Sequence, residues 1–536
     1  MSRFLIASAT VLMASAPVVS GPALAEETLD LEIPFEKYTL DNGLEVILHQ
    51  DNRVPLVAVN VWVHVGAFHE PDGRSGFAHL FEHLMFEGSA HAEHPITVLE
   101  RLGATQINGT TSFDRTNYFQ TVPSHHLETA LWLESDRLGF LLPALTEENL
   151  EGQQEVVMNE RRQVYDASPY GLARIEAFNA LFPHPHPYNN MVIGSMEDIA
   201  AATMDDVRSF FDTWYAPANV TLTVAGDFER EEVEGLIEKY FGSLPARPRP
   251  ERPDIPKARL EEKVVIHHDE PLGPLAQVMI LWHSPAAFEP GDAEARVLAM
   301  LLSTGRSARL QRRLVFDKRI AQSVSSYQWG TGHQSIFGIT ATARPGTTTD
   351  ELLAEIDAEL DEIRKAGPAD EELLRVVNRI ETRSLSGLQR LGGFGGRADQ
   401  LQYYNHHLGD PGYLAEDISR FRAVTSACVR AFVEETLCPE RRVILHAVPT
   451  TEEEADKASP AAPDSQTAQE PKTGDEQAAS KQPEAPAKED DAKTDETEET
   501  STSKDERLRT GTSASADQRG PSATIIPRHS KTPVEH

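Results

Sequence analysis

His79 and His83 stand four residues apart with Glu82 beside the second of them, in the run Gly76-Phe77-Ala78-His79-Leu80-Phe81-Glu82-His83-Leu84-Met85-Phe86-Glu87. The order His-x-x-Glu-His inverts that of the better known His-Glu-x-x-His zinc motif. On a helix, positions i and i+4 share one face a single turn apart, so both imidazoles can reach one ion. Neutral imidazole is a common zinc ligand. Glu82 falls on the edge of the same face, where it can take a proton from a water without itself binding the metal.

The elements that must hold these groups are legible around them. Leu80, Phe81, Leu84 and Met85 suit a helix and no proline interrupts the run, so a helix is predicted here. The loop Glu70-Pro71-Asp72-Gly73-Arg74-Ser75-Gly76 marks its start. A hydrolytic zinc site takes three protein ligands and leaves a fourth position open. A second polar helix, predicted over Thr146 to Ala167, carries Glu160, the candidate for the third ligand.

On these residues the chain resembles the pitrilysin/insulysin/mitochondrial processing peptidase family of inverted zinc metallopeptidases. It is most similar to the bacterial members whose chain is one half of a closed chamber. In that family a glutamate follows the second histidine after 76 intervening residues, the separation found here between His83 and Glu160. The stretch Gln106 to Ser112, continuing into Phe113 to Phe119, resembles the family's substrate-binding edge strand. That makes Asn108, Gly109, Thr110 and Thr111 the expected substrate-binding residues. His186-Pro187-Tyr188 followed by Ile193-Gly194 resembles a further family signature. Over Leu31 to Thr450 the resemblance implies one zinc ion per chain on His79, His83 and Glu160, with Glu82 as catalytic base. It also implies an endopeptidase acting on peptides or unfolded segments small enough to enter a chamber.

Two departures qualify this. Seven residues before the third ligand the family usually carries a supporting glutamate; here Gln153 can still hydrogen-bond but brings no charge, which implies reduced or retuned metal affinity and not loss of the site. In complete chambers the metal-free half supplies an arginine and, seven residues on, a tyrosine that hold the substrate carbonyl. The matching positions here are Val315 and Gln322, so neither donor is present. Losing one such donor commonly costs about two to three powers of ten in rate. The resemblance therefore implies a second chain, a metal-free homologue that supplies the Arg/Tyr pair in a heterodimer, ahead of a homodimer. The alternative is a non-catalytic core or scaffold subunit of the same fold; the intact set of His79, His83, Glu160 and Glu82 argues against it.

The 536 residues carry a net charge of −34 and no basic stripe, which argues against nucleic acid. Met1 to Ala25 has Arg3, an apolar run through Leu5, Ile6, Val11, Leu12 and Met13, and ends in Ala23-Leu24-Ala25. This reads as a signal peptide cleaved after Ala25, and a periplasmic location is expected. No later stretch reads as a membrane span. Residues 451–536 form an acidic tail; Glu452 to Glu499 is poor in apolar residues and is expected to be disordered. Cys428 and Cys438, the two cysteines, are expected to stay unpaired, because a helix over Ser426 to Leu437 would hold them about 15 Å apart.

The body divides into residues 31–243, a linker at 244–257 with Pro245, Pro248, Pro250, Pro253 and Pro256, and residues 258–450. The two sides read as weak copies. Val57 to Val63 is strand-like and leads into the motif helix; Val278 to Trp282 leads into a helix over Asp292 to Leu302. Trp214 to Val224 matches Leu437 to Ala447, each a helix end, a proline and a strand. The second copy has no His-x-x-Glu-His. Strands and helices mix without strict alternation, so the fold class is α+β, two homologous domains with mainly antiparallel sheets packed with helices, as the resemblance also implies. Gly392-Gly393-Phe394-Gly395-Gly396 lacks a following Lys-Ser/Thr and is expected to be a bend or a peptide-contacting loop. His125-His126, His267-His268 and His406-His407 are adjacent pairs whose side chains diverge, so each is a poor chelate.

Overall fold

The computed structural model describes residues 32–450; the expected signal peptide and acidic tail lie outside the described residues. Apolar and β-branched runs form the strands. In the first half these are β1 (Glu36–Thr39), β2 (Glu45–Gln50), β3 (Leu56–Val63), β4 (Thr105–Thr111), β5 (Thr116–Pro123) and β6 (Val220–Gly226). They assemble in the order β1-β2-β6-β3-β5-β4. The β2–β6 pair is parallel and the others are antiparallel.

The second half repeats this plan. Its strands are β7 (Val264–Glu270), β8 (Gln277–Ser284), β9 (Ala321–Trp329), β10 (Ser335–Ala343) and β11 (Val443–Pro449), in the order β7-β11-β8-β10-β9. Its one parallel pair, β7–β11, stands where β2–β6 stands in the first sheet. With β1 set aside, the two orders are the same. The matched stretches Val220 to Val224 and Val443 to Ala447 are β6 and β11, each beside its own sheet's central strand.

Nearly every residue of β3 and β6 is buried, so both faces of the first sheet are covered and simple in–out alternation is lost. One covering helix comes from the other half. The helix Arg397–Leu408 packs on β6 and β3, and Gln402 Nε2 donates to the carbonyls of Asn60 (3.1 Å) and Thr221 (2.8 Å). The exchange is reciprocal: the helix Gly171–Leu181 lies on β8 and β11. Its Phe178 and Leu181 share one apolar core with Met279, Leu281, Val443 and Leu445. The two halves thus complete each other's core.

Between the helix Arg230–Phe241 and β7 the chain has neither helix nor strand, but it is pinned at both ends. The Arg247 guanidinium donates to the Tyr215 carbonyl at 2.9 Å. Ala258 N donates to Gln334 Oε1 at 2.7 Å, and Gln334 Nε2 returns a bond to the Ala258 carbonyl at 2.8 Å. Cys428 and Cys438 are free thiols; Cys428 lies within the helix Ser426–Glu435 and Cys438 follows its C-terminal end. Among the described residues, no helix is long and apolar enough to cross a membrane.

The stretch expected to form the edge is a hairpin, with only its first arm, β4, at the margin of the sheet. It turns at Ser112, whose Oγ accepts the backbone N–H groups of Asp114 and Arg115, each at 3.2 Å.

Candidate active site

The helix Phe77–Leu84 is buried along its whole length. Its first turn lacks a capping side chain because Gly76 occupies the N-cap with φ 84°. The glycine is required on a second count: a Cβ there would stand 2.6 Å from the Ile193 carbonyl oxygen. Glu70, six residues upstream, satisfies the exposed donors instead. Its two oxygens accept from Gly76 N at 3.0 Å and Ala78 N at 2.7 Å. Phe81 anchors the helix from below against Phe210 and Tyr215.

The helix Glu147–Arg161 begins at a reciprocal cap between Thr146 and Asn149 and continues into a π-helical turn at Arg162–Asp166. The predicted span of Thr146 to Ala167 covers both. Glu160, near the C-terminal end, reaches the first helix. Its Oε2 lies 3.6 Å from His79 Nε2 and 3.7 Å from His83 Nε2. The two imidazoles stand edge to face with centroids 4.8 Å apart. One ligand atom from each of His79, His83 and Glu160 falls within 4.8 Å of the others.

These atoms are buried and have no hydrogen-bond partner: His79 Nε2, His83 Nε2 and Glu160 Oε2 are all orphaned. Orphaned buried polar atoms are costly, and three that converge fit a shared cation. Ligand atoms on a tetrahedral zinc are about 3.3 Å apart, from bonds of about 2.0–2.1 Å. The 3.6 and 3.7 Å from Glu160 to the two imidazoles lie close to that value. Burial holds His79 far below the ordinary histidine pKa, which keeps its imidazole neutral and able to ligate.

Glu82 is buried and its carboxyl meets β4. Thr111 Oγ1 donates to its Oε2 at 2.6 Å. Burial pushes its carboxyl up to about 7, the range in which a general base works best at neutral pH. Thr110 turns to the other side of the strand and bonds Asn117 Oδ1 at 2.6 Å. Asn108 Oδ1 accepts the Gly109 backbone N–H at 3.0 Å.

Gln153 reaches the first helix. Its Oε1 is 3.1 Å from His83 Nδ1, and its Nε2 donates to Glu87 Oε1. Glu87 Oε2 accepts from Asn149 Nδ2 at 3.0 Å. Sequence reasoning missed Glu70, Glu87 and Asn149. Two signals were available: Glu87 follows His83 by one helical turn, and Asn149 and Gln153 are themselves four apart. Val315 packs against the second half's core, and Gln322 is exposed on β9.

His186, His406 and the glycine run make local hydrogen bonds and packing contacts. His186 Nδ1 accepts the Tyr188 N–H at 3.1 Å, a local cap. His406 Nδ1 meets His64 Nδ1 at 2.7 Å. The glycine-rich loop presses on the first sheet: a Cβ at Gly392 would stand 2.4 Å from Thr121 Oγ1, and Phe394 meets Phe119 edge-on. A cavity of about 680 Å³ opens between the halves, lined by Trp62, Arg115, Trp329, Arg383 and Tyr403 among others. It is not at the orphaned cluster. The β4–β5 turn, Ser112 to Arg115, forms part of its wall.

Comparison with known proteins bears on this geometry. The model of the insulinase family, peptidase family M16, matches residues 45–188, and that of the "peptidase M16 inactive domain" matches residues 201–380. The chain is similar to the zinc protease PqqE of Helicobacter pylori, with 32% identity over 363 residues, 66% of this chain and 80% of that protein. It is also similar to the uncharacterized zinc protease YmxG of Bacillus subtilis, with 25% identity over 63% of this chain and 81% of that protein. Among solved structures, a protease from Helicobacter pylori superposes with a TM-score of 0.70 at 27% identity, over 78% of this chain and all of that one. The first half of the periplasmic protease PqqL from Escherichia coli shares the fold, with a TM-score of 0.64 at 20% identity, over 80% of this chain and 94% of that one.

Proposed function

The chain belongs to the insulinase family of peptidases, M16, and on that premise we propose that it is a zinc-dependent endopeptidase acting on peptides or unfolded segments. The observation that carries this reading is the convergence of three orphaned ligand atoms, from His79, His83 and Glu160, next to a buried carboxyl. Zinc held there by His79, His83 and Glu160 would supply the Lewis-acid chemistry that attack on a peptide carbonyl needs. Glu82 is placed to take a proton from the attacking water and hand it to the leaving amine. Its carboxyl near 7 suits both transfers, and the Thr111 hydroxyl holds it in place.

The edge strand β4, with Asn108, Gly109, Thr110 and Thr111, receives an extended peptide by main-chain pairing, which confers affinity with loose sequence preference. A peptide that continued past Thr111 would meet the Ser112–Arg115 turn and the cavity behind it. Val315 has no donor to offer a developing oxyanion, and Gln322 offers a neutral amide where the family has a tyrosine. The chamber is therefore completed by a metal-free homologous subunit that supplies them, in a heterodimer. Export to the periplasm agrees with the leader-like residues 1–25 and with the periplasmic PqqL, which shares the fold.

The test is cleavage of a quenched-fluorescent peptide mixture by the zinc-loaded chain, with Glu82→Gln as the blank. Turnover by the chain alone, absent from the blank, supports the peptidase and removes the need for a partner. One zinc per chain without turnover calls for repeating the assay with a metal-free homologue added. No turnover even then, with Glu82→Gln indistinguishable from wild type in the cell, would leave the scaffold subunit as the better reading.

A further inference from the structure

A neutral histidine binds a metal only through the nitrogen that lacks a proton. For His83 to present Nε2 to the orphaned cluster, its proton must sit on Nδ1, and something must accept it there. Gln153 Oε1 is 3.1 Å from that nitrogen. An amide, however, can turn either end toward it. With its NH₂ facing the ring, it would force Nδ1 to be the acceptor and place the proton on Nε2, where it would block a metal.

Glu87 settles which way the amide faces. Its carboxylate only accepts, so Gln153 must give it the NH₂, and does so at Oε1. The other oxygen, Oε2, takes the Asn149 amide N–H at 3.0 Å. Asn149 is fixed in turn, because its Oδ1 accepts the Thr146 backbone N–H at 3.1 Å within the helix cap. Asn149 and Gln153 stand one turn apart on the helix Glu147–Arg161, so one carboxylate organises two amides on one face. The negative charge missing at position 153 is thereby present one residue further out.

We propose that Glu87 is the positioning residue of the metal site: through Gln153 it sets the tautomer and orientation of His83, doing at one remove what a glutamate at 153 would do directly. The proposal rests on reading His79, His83 and Glu160 as metal ligands. Outer partners of a metal-binding histidine typically contribute about 10–100-fold in affinity.

The experiment measures zinc affinity of the full chain by competition with a chromophoric chelator, alongside thermal melting of the zinc-free protein. Glu87→Ala is expected to weaken zinc binding about 10–100-fold with little change in the zinc-free melt. Adding Gln153→Glu to Glu87→Ala is expected to restore affinity, because the new carboxylate accepts the His83 proton unaided. Glu87→Gln keeps the side-chain volume, guards against a folding defect, and is expected to lose affinity in the same direction. Wild-type affinity in both Glu87 variants would overturn the proposal. So would a loss that Gln153→Glu fails to restore, or one matched by a fall in the zinc-free melt, since either marks a merely structural role. A wild-type chain that takes up no zinc would sink the metal-site reading itself, whereas normal wild-type uptake with unaffected variants sinks the Glu87 proposal alone.

Discussion

Gly109 on the edge strand faces Glu82 so closely that a Cβ at position 109 would stand 3.1 Å from both Glu82 Cγ and Oε1, and 2.9 Å from the Phe86 ring. The absence of a side chain there is what lets the buried carboxyl lie flat against β4 and reach Thr111. Gly109→Ala is therefore expected to push Glu82 aside while leaving the three ligand atoms where they are. Misplacing a reacting group by about 1 Å can cost on the order of 100-fold in rate. Peptide cleavage should fall 10- to 100-fold (order of magnitude) with zinc content unchanged; full activity in this variant would show that Glu82 has room to spare.

Thr111 provides a second handle on the same carboxyl. Thr111→Val keeps the shape and removes the 2.6 Å bond to Glu82 Oε2, leaving a buried carboxylate oxygen unpartnered at a cost of about 1–3 kcal/mol. We expect kcat to drop by roughly 10-fold or more, as 1.4 kcal/mol of misplaced base implies, with KM little altered. A rise in KM at constant kcat would assign Thr111 to substrate contact instead.

Glu160 is the one ligand that comes from a separate helix. Glu160→Ala is expected to reduce zinc from one ion per chain toward none, measured by elemental analysis after gel filtration. The zinc-free fold should persist, because the helices that carry the site are held by their own caps and cores. Full zinc retention would mean that the third ligand lies elsewhere.

Asp51, which meets the second half at Arg397, carries a pH signature. Hydrogen bonds from Arg53 first, with the charge of Arg397 from the second half, hold the Asp51 carboxyl at about 2, below its ordinary value near 4. A depressed folded-state pKa contributes stability above the ordinary value and loses it as pH falls toward the folded one. Urea midpoints of wild type and Asp51→Asn should therefore differ at pH 7, and the gap should close between about pH 4 and pH 2. A gap that stays constant across that range would mean that the ion pairs are not its source.

Local pattern determined a good part of this protein. The four-residue spacing of His79 and His83 puts both on one helical face, because helical periodicity is a property of the backbone alone. The run of helix formers around them, the strand-and-turn rhythm of both halves, and their duplication were legible for the same reason. Glu160 stands out among the glutamates of its helix only through the family resemblance, in which 76 residues intervene after the second histidine as they do here, since no local rule brings two helices together at that distance along the chain.

Tertiary structure decided the rest. Which helix covers which sheet could not be read, because the helices Gly171–Leu181 and Arg397–Leu408 serve the opposite half, and an apolar stripe records that it will be buried but not against what. The hairpin at Ser112, the approach of Gly109 to Glu82, the Glu70 cap and the chain from Glu87 through Gln153 to His83 all join groups by hydrogen bonds or van der Waals contact across folded space. Such contacts depend on distances of about 3 Å, and those distances exist only once the cores of both halves have closed.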